Sequence, residues 1–162
     1  MLHPTRLAGT LAICFTLIFC VSSSFAADGL VSNLNDSGPG SLRAAIDAAN
    51  ADHGGSIRFA PALIGQTIAI ASTLNLSGGG VTVNGDINAD GKPDIVLDGG
   101  DSVWCGLYIP SANNTVSGLV LNRFRAYFVE IEGQSATGNG VRGCYNRNGH
   151  HWSAKRAKPR RR

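Results

Sequence analysis

The residues of this chain that are best suited to chemistry lie in one polar stretch, residues 86–94, with the sequence DINADGKPD. Oxygen-bearing groups recur at its alternate positions, namely Asp86, Asn88, Asp90, the Lys92 carbonyl and Asp94. Gly91 stands among them, where a chain that wraps around a cation must turn sharply. Because Ca²⁺ prefers carboxylate, amide and carbonyl oxygens, the spacing predicts a structural calcium site made by these five residues.

The flanks of this stretch exclude the helical type of calcium loop. An EF-hand needs Glu at its twelfth position and a helix on each side. This chain has Leu97 there, and residues 81–83 and 95–97 alternate as strands do. The stretch is similar instead to calcium loops that are inserted between strands of propeller-type repeats. A polar turn, whose side chains hydrogen-bond their own backbone without a metal, is the alternative.

The strands that must position this loop belong to a sequence pattern that recurs along the chain. The sequence NNTVSGL at 113–119 returns as GNGVRGC at 138–144, which aligns Asn139 with Asn114. The sequence LYI at 107–109 likewise returns as VEI at 129–131, at a slightly shorter offset. Periods of roughly 20 to 30 residues with short strands predict a β-solenoid, in which each coil stacks on the last. An antiparallel β-sandwich is the alternative.

A helix precedes the strands. Ser41 can cap it, and an apolar stripe at helical spacing makes residues 41–51 an amphipathic helix that would cover the open end of a solenoid core. Over residues 56–148, apolar residues alternate with small or polar ones, and about 22 to 25 residues per coil give about four coils. The expected inward residues are Ile57, Phe59, Ile68, Ile70, Leu74, Leu76, Val81, Val83, Ile95, Leu97, Leu107, Ile109, Val116, Leu119, Leu121, Phe124, Val129 and Ile131.

Residues 1–26 have the features of a secretory signal peptide. His3 and Arg6 precede an apolar run over residues 7–21, and small residues stand three positions and one position before a cut after Ala26. We therefore expect a secreted or cell-surface protein with no membrane span after cleavage. The mature chain would keep two thiols, Cys105 and Cys144, which an oxidising compartment could join or the core could bury.

Composition is that of a globular protein. Of the 162 residues, 43% are apolar and 15% charged, which excludes a disordered chain and one embedded in a membrane throughout. Without Arg6 and the six basic residues among the last eight, the formal charge of +3 becomes −4, so no nucleic-acid partner is favoured. The basic, low-complexity sequence of residues 149–162 predicts a disordered tail. An anion-binding arm and a shifted reading frame are the alternatives for this tail.

One region resembles a known family. The sequence NDSGPGSLRAAI at 35–46, followed by ANA at 49–51, resembles the CSLREA-type region of secreted bacterial proteins, which precedes right-handed parallel β-helix repeats. Residues 57–59, 65–68 and 113–119 are similar to strands of the same family, so the resemblance covers about residues 30–145. Gly40 and Ala44 stand where the motif has Cys and Glu. The resemblance implies an exported, surface-associated β-helix with no catalytic motif in this region.

Together these features predict a mostly β protein, a right-handed parallel β-helix of about four coils, whole or truncated, with an N-terminal capping helix. Its parts would be a signal peptide (1–26), a strand and helix (27–55), the coils (56–148) and the tail (149–162). We expect a monomeric structural or adhesive surface module, part of a longer protein, that binds surface polysaccharides or cell-surface glycans. The alternative is a carbohydrate-binding β-helix or a polysaccharide lyase or hydrolase, whose candidate catalytic residues, none in a recognised motif, are Asp98, Asp101, Arg123, Arg125, Glu130 and Glu132.

The leader interpretation makes the first prediction. N-terminal sequencing of the exported protein should begin at Ala27-Asp28, because the small residues before Ala27 suit a signal peptidase. A mature protein that still begins at Met1 would refute it.

Overall fold

The computed structural model describes residues 27–146 and 155–156, so the predicted leader and most of the predicted basic tail lie outside the described residues. Two helical elements occur in this part of the chain, α1 (Leu42–Ala51) and a 3-10 helix (Pro61–Leu63). The strands are short: β1 (Ala27–Val31), β2 (Gly55–Phe59), β3 (Thr67–Ala69), β4 (Leu74–Asn75), β5 (Val81–Asn84), β6 (Ile95–Asp98), β7 (Cys105–Ile109), β8 (Thr115–Ser117), β9 (Leu119–Asn122), β10 (Tyr127–Ile131), β11 (Gly140–Arg142), β12 (Tyr145–Asn146) and β13 (Lys155–Arg156).

The described strands form three sheets, and each pairing between them is parallel. The first sheet has the order β1-β2-β5-β8-β11, the second β12-β9-β6-β3 and the third β13-β10-β7-β4. From β2 onward the chain adds one strand to each sheet in rotation before it returns to the first sheet. We call three consecutive strands a repeat, so β2 to β4, β5 to β7, β8 to β10 and β11 to β13 are repeats 1 to 4. The predicted mostly β class is confirmed, and the parallel pairing excludes the antiparallel sandwich.

Both repeated sequences lie in register, since β8 pairs with β11 as NNTVSGL aligns with GNGVRGC, and Leu107 pairs with Val129. Another repeat is longer, because Asn84 pairs with Ser117 and these two lie 33 residues apart in the sequence. The expected spacing of about 22 to 25 residues per coil is therefore too short for this repeat. A physical reason lies at the corners, because residues 85–94 join β5 to β6 where a single glycine, Gly118, joins β8 to β9.

The core is built from columns of inward side chains, one above the other in successive repeats. One column in each sheet serves as an example: Ile57 with Val83 and Val116, Ile68 with Leu97 and Leu121, and Leu74 with Leu107 and Val129. All nine side chains are buried. Burial of each such side chain contributes about 1.5 to 3 kcal/mol. The predicted inward set is confirmed except for Phe124, which is partly buried and packs against the core from its edge.

The predicted helix is also confirmed, together with its cap. The Ser41 hydroxyl accepts a hydrogen bond from the Ala44 N–H at 3.2 Å, which satisfies one of the free donors of the first turn. Arg43 joins the helix to repeat 1, because its guanidinium donates to the Thr73 carbonyl at 3.2 Å and pairs with Asp36 at 2.7 Å. The buried side chains of α1 are Leu42, Ile46 and Ala49.

Asparagine side chains stabilise the corner before the first sheet. Asn114 is fully buried, and its side-chain oxygen accepts from the Val81 N–H of repeat 2 at 3.1 Å. In turn the Asn139 oxygen accepts from the N–H of Asn114 at 2.8 Å and from its amide group at 3.0 Å. These are the two asparagines that the repeated sequence aligns. Their side chains therefore replace backbone hydrogen bonds at a corner where strand pairing is interrupted.

The columns make a prediction about stability. Leu119→Asp should unfold the domain, because Leu119 has no exposed surface. An unpaired buried charge costs several kcal/mol, whereas the whole free energy of unfolding of a protein is roughly 5 to 15 kcal/mol. Thermal unfolding followed by circular dichroism measures the effect.

Val120→Asp is the matched control for this variant. Val120 is the next residue of β9 and faces outward, so the same charge should cost far less there. Similar melting temperatures for the two variants would contradict the stacked core.

Candidate functional site

The loop of residues 85–94 closes on itself through its own carboxylates. The Asp94 carboxylate accepts hydrogen bonds from the N–H groups of Ile87 at 2.7 Å and Asn88 at 3.2 Å. At the other side of the loop, the Asp86 carboxylate accepts from the N–H groups of Asp90 at 3.1 Å and Gly91 at 3.0 Å. Each acid thereby holds two consecutive amides in place, and the loop is joined to the first sheet where the Gly85 N–H donates to the Ser117 carbonyl at 2.9 Å.

Two further side chains of the predicted calcium set make the same kind of bond. The Asn88 oxygen accepts from the Asp90 N–H at 3.0 Å, and an Asp90 carboxylate oxygen accepts from the Lys92 N–H at 2.9 Å. These are the bonds of an Asn/Asp/Gly turn. Within residues 27–146 no three acidic, histidine or cysteine side chains converge in a group that could hold a metal. The oxygen types suit Ca²⁺, so the calcium site stays a prediction.

The outer face of the first sheet carries polar residues in rows. Arg58, Asn84, Ser117 and Arg142 pair in register across β2, β5, β8 and β11, so they form one row. Adjacent members are separated by the strand spacing of roughly 4.8 Å. A second outward row, two residues earlier on the strands, contains Ser56, Thr82 and Thr115. The sheet therefore presents hydroxyl, amide and guanidinium groups at regular intervals.

The loop and the row meet at an open cavity of about 340 Å³. Gly118 makes this meeting possible, because it has a φ of +65° and a side chain there would collide with the Asp86 backbone. The lining residues are Asn84, Asp86, Gly91, Ser117, Gly118, Arg142 and Gly143. The loop is thus positioned beside side chains from repeats 2, 3 and 4, and this cavity is the candidate functional site.

Hydrogen bonds inside the cavity decide which groups are available to a ligand. The Ser117 hydroxyl donates to the Asn84 side-chain oxygen at 3.1 Å, and the same oxygen accepts from the Asp86 N–H at 3.1 Å. Because both contacts use the Asn84 oxygen, the amide hydrogens of Asn84 remain available to a ligand. In residues 27–146 the Arg142 guanidinium makes no hydrogen bond or ion pair, and it is exposed. The site therefore offers unsatisfied donors.

Two of the candidate catalytic residues form a structural ion pair. Arg123 Nε donates to both carboxylate oxygens of buried Asp98 at 2.9 and 3.0 Å, while Asp101 lies 3.9 Å from the same guanidinium. The hydrogen bond to Asp98 is the main reason that the pKa of Arg123 is raised. Since Asp98 belongs to repeat 2 and Arg123 follows β9, the pair joins adjacent repeats. Glu130 lies on β10 in the third sheet, and Arg125 and Glu132 are exposed.

Cys105 and Cys144 are both free and buried, so of the two alternatives the structure has burial in the core and not a disulfide. Burial raises the pKa of the Cys105 thiol to about 11, with a further contribution from the Glu130 carboxylate. Burial also raises the pKa of Cys144. Because the thiolate is the nucleophilic form, neither residue has the properties of a reactive thiol at neutral pH.

Sequence reasoning did not single out Asn84, Ser117 or Arg142. The alignment of NNTVSGL with GNGVRGC places Ser117 opposite Arg142, and the match of TVNG at 82–85 with TVSG at 115–118 places Asn84 opposite Ser117, so these repeats could have revealed the row. Comparisons of the chain with protein-family models, curated proteins and solved structures found no match.

The loop makes a prediction that separates a calcium site from a plain turn. Calorimetric titration with Ca²⁺ should show one site with a dissociation constant of roughly 0.1 to 1 mM, the range of weak extracellular sites, and should raise the melting temperature. Asp90→Ala should abolish the heat of binding.

Asp94→Asn is the informative control, because it keeps an oxygen that can accept from Ile87 and Asn88 but removes the charge. If the loop binds Ca²⁺, this variant should bind it more weakly, because a charged ligand is lost. If the loop is a plain turn, the variant should have almost the same melting temperature as the native protein, because its hydrogen bonds are kept. No heat and no stabilisation at several millimolar Ca²⁺ would leave the turn as the correct description.

Proposed function

We propose that the chain is a right-handed parallel β-helix of the CSLREA-type family and that it acts as a structural or adhesive module at the cell surface. The observation that carries this proposal is the strict rotation of the chain through three parallel sheets. In a parallel β-helix the chain returns to the same sheet after two other strands, always in parallel, as it winds around a common axis. Crossovers between parallel strands of one sheet are right-handed in nearly all proteins, which supports a right-handed direction of winding.

The distribution of side chains supports a structural role. The columns of the core are apolar, the helix α1 packs over β1 and β2 at one end, and the outer face of the first sheet is polar. A rigid stack of this kind presents residues on its outer face at fixed spacing without a mobile scaffold. No helix within the described residues is long and apolar enough to span a bilayer. The exported location rests on the leader pattern of residues 1–26.

A role in recognition is supported by the same outer face. Hydroxyl, amide and guanidinium groups in rows can hydrogen-bond a polyhydroxylated chain over several repeats. Surface glycans are polymers with such groups at regular intervals. The proposed module would therefore hold its protein against a polysaccharide surface and need not change the polysaccharide chemically.

Expression in a secreting bacterium tests this proposal. The full chain with its leader should reach the cell exterior, remain with washed cells and be cleaved by protease added to intact cells. A variant without residues 2–26 should stay inside, which controls for the leader. Protein that never leaves the cytoplasm, or that is exported and does not associate with cells, would argue against a surface module.

The same preparation distinguishes an enzyme. Incubation with cell-envelope polysaccharide should release neither reducing ends nor unsaturated sugars if the module is adhesive. Release of either product by the native protein would favour the carbohydrate-active alternative and overturn the proposal.

A further inference from the structure

We propose that the cavity between the 85–94 loop and the first sheet binds an acidic sugar unit of a surface glycan, with Arg142 as the residue that holds its anionic group. This proposal rests on the proposed adhesive function and names its ligand. The cavity keeps donors and acceptors that the protein's own hydrogen bonds do not use.

The available donors require an oxyanion. Arg142 has a planar guanidinium with five N–H donors, and none of them is used within residues 27–146. The Asn84 oxygen is occupied by Asp86 and Ser117, so its amide hydrogens are the part of that side chain that can bind a ligand. A carboxylate or sulfate matches a guanidinium geometrically, and such charge-assisted bonds are the stronger ones.

The available acceptors require hydroxyl groups beside that oxyanion. Asp86 uses its carboxylate for the Asp90 and Gly91 N–H groups, yet each oxygen keeps a second lone pair. The Ser117 oxygen can also accept, since its hydrogen is directed to the Asn84 side-chain oxygen at 3.1 Å or to the Val83 carbonyl at 3.4 Å. Inorganic sulfate has no hydroxyl hydrogen to donate to the Asp86 carboxylate or to the Ser117 oxygen. A sugar that bears both an anionic group and hydroxyls satisfies donors and acceptors together.

The position of Arg142 in its row distinguishes it from the other arginine there. Arg58 is already engaged with Asp28, at 3.4 Å, and does not line the cavity. Arg142 lies two strands from Asn84, with Ser117 between them. The three side chains therefore span roughly 10 Å along the stack, twice the strand spacing. This length allows one sugar in the cavity and a neighbouring sugar along the row.

Site-resolved titration of the isotopically labelled full chain tests the proposal. The probes are D-glucuronate, glucose 6-sulfate, glucose and inorganic sulfate, each in the presence of EDTA so that calcium does not contribute. Backbone amide shifts of Gly118 and Gly143 should saturate with one or both acidic sugars, at roughly millimolar dissociation constants. Glucose and inorganic sulfate should shift these amides weakly or not at all. The tighter of the two acidic sugars identifies carboxylate or sulfate as the anionic group.

The variants assign the role to Arg142. Arg142→Ala should weaken binding by at least about tenfold and Arg142→Lys by less, because lysine keeps the charge without the fork. Arg58→Ala is the matched control, an exposed arginine of the same row, and should bind within about twofold of the native chain. Unchanged binding in Arg142→Ala, equal binding of glucose, or shifts confined to residues 149–162 would each overturn the proposal.

Failure of this experiment and failure of the surface module can be told apart. If the protein is exported and adheres to cells but no acidic sugar shifts Gly118 or Gly143, the ligand assignment is wrong and the surface role stands. If the acidic sugars bind but the protein is never exported, the cavity is a sugar site in a protein of a different location.

Discussion

In-register parallel pairing is the constraint on which the rest of this structure depends. A pairing such as Val116 with Val141 determines which side chains of two repeats meet, because a shift of one residue would turn every inward side chain outward. The same pairing gives most strand N–H and C=O groups a partner in the next repeat. The apolar columns, the asparagine corner and the polar rows are therefore consequences of one alignment, and none of them could shift alone.

The repeats differ in length at the corners, where strand pairing is interrupted. Between the first and second sheets the chain uses Gly118 alone in repeat 3, Gly143 and Cys144 in repeat 4, and the whole loop 85–94 in repeat 2. The longer corner lengthens its repeat but leaves the paired strands in register. Insertions at corners can thus add polar groups to the surface without a cost to the core. This explains why the candidate site lies where a loop meets a sheet.

Features with a local or periodic signal could be predicted from the sequence. Alternation identified the inward residues, Ser41 marked the helix start, and the repeated sequences aligned Asn114 with Asn139 as the structure pairs them. The row of Asn84, Ser117 and Arg142 could also have been predicted, because TVNG at 82–85 matches TVSG at 115–118. The position of the 85–94 loop beside that row could not, since it depends on how an inserted corner without a counterpart in the other repeats folds. The spacing of oxygens in the loop also could not separate a calcium site from a turn. Both need the same residue types at the same positions.

The origin of the proposed site in three different repeats has energetic consequences. Asn84, Ser117 and Arg142 come together only when repeats 2, 3 and 4 are stacked, so a ligand that bridges them stabilises the stack by mass action. Ser117 is already held by Asn84 and loses little freedom on binding, whereas the exposed Arg142 side chain must be immobilised. Affinity at a single site should therefore be modest. The polar row beside the cavity can contact neighbouring sugars of the same polymer, and effective concentration makes these linked weak contacts firmer together than any one of them alone.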